Sequence, residues 1–124
     1  MAAAPALAAD GMIDGVYARS PEQCDAARAD FQAFIETGEI ILTPSGIEGL
    51  EYNCEFLDWK RSTRSPGAIV TALCQEPGYA YPEIFAVMPQ SEGQVDLTVS
   101  LAAGADGANT NAGTYHLCEG VAPP

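Results

Sequence analysis

Residues 50–74 read LEYNCEFLDWKRSTRSPGAIVTALC, and the way this stretch pairs with itself decides the fold. Leu50, Tyr52, Cys54 and Phe56 alternate with Glu51, Asn53 and Glu55, which puts one face on a core and the other in water, as a half-buried strand requires. The polar break KRSTRSPG, residues 60–67, supplies the serine, proline and glycine of a turn. Ala68 to Cys74 (AIVTALC) then reads as a second strand. If the two make an antiparallel hairpin centred on Arg64, opposed residues have position numbers that sum to 128, and Cys54 stands opposite Cys74. Opposed residues have Cα atoms about 4.5 to 5.5 Å apart, a separation that a disulfide spans. Of the three possible connectivities, this geometry favours Cys54 with Cys74, which leaves Cys24 with Cys118.

Those four cysteines lie 30, 20 and 44 positions apart, with no C-x-x-C, so neither a thioredoxin-type redox motif nor a zinc knuckle can form from neighbours. Two widely spaced structural disulfides belong to an oxidising compartment, periplasmic or secreted. The stretch AAAPALAAD, residues 2–10, has the small-residue character of a signal-peptidase site. Residues 1–10 therefore read as a signal-peptide remnant or disordered arm, and residues 11–124 as one β-rich domain, long enough to bury a real core. No run approaches the ~20 apolar residues of a membrane-spanning helix. With 17 acidic against 5 basic residues, the net charge of −12 disfavours nucleic acid and anionic lipid and attracts a cationic protein or envelope component.

Elsewhere the period of two dominates. Ile13 to Ala18 reads as a short first strand. Ser20-Pro21-Glu22-Gln23 then has the N-cap serine, first-turn proline and third-position glutamine that start a helix carrying Cys24. Glu39 to Thr43 is a β-branched run ended by the turn Pro44-Ser45-Gly46. Tyr81 to Met88 contains Pro82, which cannot donate to a ladder and so predicts an edge or a bulge. In Val95 to Leu101 the valines and leucines alternate with Asp96, Thr98 and Ser100. Ala102 to Gly113 has no large side chain and reads as a loop. Gly113 to Glu119 closes the chain with Tyr115 and Cys118. The expectation is a mainly β protein, an antiparallel meander of six or seven strands forming a small barrel or sandwich, with one short N-terminal helix.

Catalytic chemistry finds little support. His116 is the only histidine, so any Ser-His-Asp arrangement rests on it, yet it shares a strand with Cys118 and reads as a structural residue. Glu48, Glu51 and Glu55 are close in sequence, but parity puts Glu51 and Glu55 on the polar face, away from the apolar pocket that acid catalysis needs. Asp106, Asn109 and Asn111 do not fit the spacing of a calcium loop. We therefore expect no cofactor and no metal, and binding or structure in place of catalysis. One charge cluster opposes the acidic balance. Lys60, Arg61 and Arg64, three of the five basic residues, sit on the hairpin tip beside Trp59, a candidate partner contact in which Trp59 supplies apolar surface.

The G-x-Y-A-x(5)-C of Gly15 to Cys24, the G-x-E steps from Gly46 or Gly49 toward Cys54, and the Y-x-x-C of Tyr115 to Cys118 resemble small exported, uncharacterised proteins of alphaproteobacteria. That resemblance implies export and a disulfide-linked β fold. The chain is also similar to periplasmic inhibitors of c-type lysozyme, small acidic barrels that carry S-G-x-x-Y; here Ser45-Gly46 is followed by Tyr52, several positions later. This second similarity implies an inhibitor of a cationic envelope-targeting enzyme such as lysozyme. A small-ligand carrier, the third possibility, requires a hollow barrel.

Overall fold

The structure, a computed structural model, describes residues 12–99 and 111–124. The arm at residues 1–10 and the oxygen-bearing positions Asp106 and Asn109 lie outside them. Eight antiparallel strands close into a barrel in chain order: β1 (Tyr17–Ala18), β2 (Ile41–Thr43), β3 (Gly46–Gly49), β4 (Tyr52–Arg61), β5 (Ala68–Glu76), β6 (Tyr79–Pro89), β7 (Gln94–Val99) and β8 (Gly113–Leu117). Closure comes from β8 pairing with β1, Tyr17 against Leu117 and Ala18 against His116. A closed barrel leaves no open sheet edge for another chain to extend.

Three expectations are corrected. The strand count is eight where six or seven were expected, because Gly46–Gly49, of which only Gly46 was assigned, to the turn Pro44-Ser45-Gly46, is a short strand with Ile47 opposite Cys54. There are two short helices where one was expected, α1 (Pro21–Ala29) and α2 (Phe31–Glu36). Asp30 ends the first and caps the second, its Oδ1 accepting from Ala33 N at 3.1 Å. Leu50, counted on the core face, is 50 % exposed in the turn between β3 and β4. The following residue, Glu51, has the left-handed φ of 53° that makes a tight turn. Pro82 pairs with Leu73 inside β6, beyond the last described β6–β7 pair, Phe85 with Val99. No described β7 residue therefore needs its missing N–H.

The β4–β5 register holds at Cys54 opposite Cys74 and fails nearer the tip. A bulge at Leu57 shifts it by one, so that Asp58 faces Thr71 and Trp59 faces Val70. One extra residue reverses the face on which every later side chain lies. Trp59 thereby joins the inward set of Tyr52, Cys54 and Phe56.

Alternation along the strands turns one apolar face into the barrel. Phe85, Val87, Val95, Leu97, Tyr115, Leu42 and Ile47 are fully or almost fully buried around the Cys54–Cys74 disulfide. A second apolar layer lies outside the wall, where Ala27 and Phe34 of the helices cover Val16, Ala18 and Ile41. Cys24 and Cys118 are joined within this outer layer, so their disulfide fastens α1 to the end of β8. Ser20 Oγ accepts from Gln23 N at 3.1 Å and fixes where α1 starts, which sets the position of Cys24 four residues on.

Candidate functional site

The four residues expected to make a partner contact are divided by the bulge. Trp59 is half-buried against the core cluster, its ring edge-on to Phe56 at 5.5 Å between centroids. Its Nε1 is buried with no hydrogen-bond partner among the described residues. The indole is thus part of the barrel's packing, and the expectation that it supplies exposed apolar surface at the tip is corrected. Lys60, Arg61 and Arg64 are exposed at the hairpin end. Ser62 Oγ shapes that turn by accepting from Arg64 N at 3.0 Å and Ser65 N at 3.1 Å.

The other two basic residues are held internally. The Arg19 guanidinium lies over the Tyr115 ring, 5.3 Å from its centroid, and donates to Ala112 O. Arg28 donates to Asp25 Oδ1 and to Glu119 O, both at 2.9 Å. Lys60, Arg61 and Arg64 stand together on the β4–β5 hairpin.

Arg28 lines a groove of about 480 Å³ on the outside of the barrel. One wall is α1, through Pro21, Cys24 and Asp25, and the other is β8 and its extension, through His116, Leu117 and Glu119. The β6–β7 turn adds Glu92 and Gly93, and Gly93 O accepts from Leu117 N at 2.8 Å, which locks that turn to the wall. The Cys24–Cys118 disulfide ties the two walls together. The lining combines the apolar Pro21 and Leu117 and Cys24 of the disulfide with the acidic Asp25, Glu92 and Glu119. Its lining holds no serine, threonine or free thiol to act as a nucleophile. His116, considered in the sequence as a base, is placed here.

A polar cluster occupies one end of the barrel interior. Asn111 Nδ2 donates to Tyr52 Oη at 2.6 Å, Tyr115 Oη donates to Asn111 O at 2.7 Å, and Tyr52 Oη lies 3.2 Å from Cys54 Sγ. Glu83 is buried on the inward face of β6, between Tyr81 and Phe85. Sequence reasoning passed over both Glu83 and Asn111 as interior residues. For Glu83 the signal was present, since the alternation Tyr81, Glu83, Phe85, Val87 puts it on the core side. For Asn111 there was none, because it sits in a stretch of small residues.

Burial pushes the Tyr17 phenol up to about 12, with Asp14 adding to the effect by charge and hydrogen bond. It also holds Tyr81 well above the ordinary phenol range, aided by Tyr52 and Glu76, and raises Tyr115 against the opposing pull of Arg19. A group whose folded pKa is raised contributes stability below its unfolded value and loses it as pH climbs toward the folded one. Stability should therefore hold to about pH 10, the unfolded tyrosine value, and fall above it as the unfolded chain releases phenolic protons first. Denaturant midpoints measured across alkaline pH, with tyrosinate absorbance followed in parallel, test this. Phenols that ionise at their ordinary pH without loss of stability would refute it.

Glu48, Glu51 and Glu55 do not converge into an acid–base pair. Glu51 is in a turn, Glu55 is exposed opposite Leu73, and Glu48, whose carboxyl burial pushes up, faces Ile41 and Asn53. No group of three or more metal-ligating side chains occurs among the described residues. No helix among them is long and apolar enough to cross a membrane. The two disulfides point to an oxidising, extracytoplasmic compartment. Comparison with protein families, with curated proteins and with solved structures finds no match to this chain.

Proposed function

We propose that this chain is a periplasmic or secreted binding module that docks a basic protein against its acidic exterior, through the groove between α1 and β8. The observation that carries this reading is the charge state of the groove. Its one cation, Arg28, is already bonded to Asp25 and to the carbonyl of Glu119, which leaves the carboxylates of Glu92 and Glu119 without an ion pair among the described residues. A lysine or arginine side chain suits such a place, because its alkyl stem can lie on Pro21, Leu117 and the disulfide while its head meets the carboxylates. A net charge of −12 would speed the encounter with a basic partner.

A c-type lysozyme is a suitable probe, being a basic enzyme that acts on the envelope. Calorimetric titration should detect association at low salt that weakens as salt is raised. Glu92→Gln with Glu119→Gln should weaken it about tenfold, the equivalent of about 1.4 kcal/mol. Absence of association at low salt with lysozyme and with other basic proteins would overturn the reading. Association that the double variant leaves unchanged would move the contact away from the groove.

A further inference from the structure

The outer wall of β4, β5 and β6, away from the helices, carries exposed apolar residues beside Asp58, Lys60 and Thr71. Leu57 is 59 % exposed at the bulge, Ile69 is 44 % exposed on β5 and Met88 is 36 % exposed on β6. Half-buried Leu73 and Ile84 lie on the same face. The register lays this face out in rows: Lys60, Ile69 and Ala86 form one across the three strands and Asp58, Thr71 and Ile84 the next, with Leu73 two residues on from Thr71 in β5 and Met88 two residues on from Ala86 in β6. A solvated face of an antiparallel sheet is ordinarily polar, and clustered exposed apolar residues on one wall mark a contact surface. The bulge contributes directly, since it turns Trp59 inward and Lys60 outward.

At the tip end of this wall stand Lys60 and Arg64, exposed on a chain of net charge −12. We infer that the wall is a docking face for a second protein, one that presents an apolar surface edged by carboxylates. Charge selects this occupant. The carboxylates of the partner would meet Lys60 and Arg64, as oppositely charged rims do around an apolar interface. A second copy of this chain, or an anionic bilayer, would set a broad negative charge against a body of charge −12, whereas a partner whose carboxylates are confined to the rim meets Lys60 and Arg64 first. The inference is independent of the proposal for the groove, which takes a partner of opposite charge on another side of the barrel.

Panning a library of displayed random peptides against the folded chain, with counter-selection against Leu57→Lys/Ile69→Lys, tests it. Enriched peptides should combine apolar residues with Asp or Glu and bind the double variant at least about tenfold more weakly, a loss of about 1.4 kcal/mol. The variant's melting curve and disulfide map would establish that it folds. Lys60→Glu/Arg64→Glu leaves the apolar wall intact and should turn the selected consensus from acidic to basic. Peptides that are basic from the outset, or that bind both chains equally, would overturn the inference. So would a dimer in sedimentation that Leu57→Lys/Ile69→Lys dissolves, which would assign the wall to self-association, or binding to phosphatidylglycerol vesicles lost in the same variant, which would assign it to lipid.

Discussion

Gly46→Ala should destabilise the barrel by about 3 kcal/mol or more, a large share of the roughly 5–15 kcal/mol that holds a domain folded. Two effects add. Gly46 has a φ of 149°, which side-chain-bearing residues rarely adopt, and a Cβ built on it would lie 1.8 Å from Cys54 O and 3.2 Å from Glu55 Cα. Both obstacles are backbone atoms of the paired strand β4, so no rotamer change relieves them. Relief requires β3 to part from β4 where Gly46 pairs with Glu55, while Gly46 is also tied to β2 through Thr43, whose Oγ1 accepts from Gly46 N at 3.2 Å and donates to Gly46 O at 3.1 Å. Gly78→Ala is the control, because Gly78 has a φ of 95° and nothing within 4 Å, so that alanine there meets strain alone. Denaturant unfolding of both variants separates clash from strain. Equal losses in the two would show that the close approach at Cys54 contributes nothing.

Gly46 also marks the limit of what periodicity conveys. Alternation from Tyr52 to Phe56 and from Val95 to Val99 was legible because each strand has a buried face and a wet one, and the hairpin arithmetic depends only on register. A four-residue strand with glycine at both ends has too few side chains to show a period, and its local chemistry is that of a turn. Its strand character comes from β2 and β4, which pair with it on either side. The bulge is hidden for a different reason. Leu57, Asp58 and Trp59 are compatible with either phase, and only the partner strand decides which residue is left over. The cationic hairpin was visible as composition, whereas the groove beside His116 was not, since its walls come from residues about 90 positions apart that only the Cys24–Cys118 bond and barrel closure bring together.

Removing that bond as Cys24→Ala/Cys118→Ala should cost about 4 kcal/mol, and removing Cys54–Cys74 about 3 kcal/mol from the loop alone, because the chain entropy released on reduction grows with the length of the closed loop. The sequence separations are 94 and 20. The ordering rests on more than loop length. Cys54 and Cys74 are opposed within a long hairpin whose backbone pairing already holds them together, whereas Cys24 and Cys118 join a nine-residue helix to a strand end across a thin outer layer. Without the bond, α1 is left with Ala27 as its remaining buried residue, too little apolar surface to hold a short helix in place. Loss of the bond should therefore also loosen the groove wall that carries Asp25 and Arg28, and weaken any basic partner bound there. Accessibility gives a second readout. Cys54 and Cys74 are wholly inside the barrel, while Cys24 lines the groove, so mild thiol treatment followed by alkylation and mass mapping should label Cys24 and Cys118 first. Labelling of Cys54 and Cys74 at the same rate would mean that the barrel opens as readily as the outer layer, and would remove the distinction between a clamp on the wall and a bond in the core.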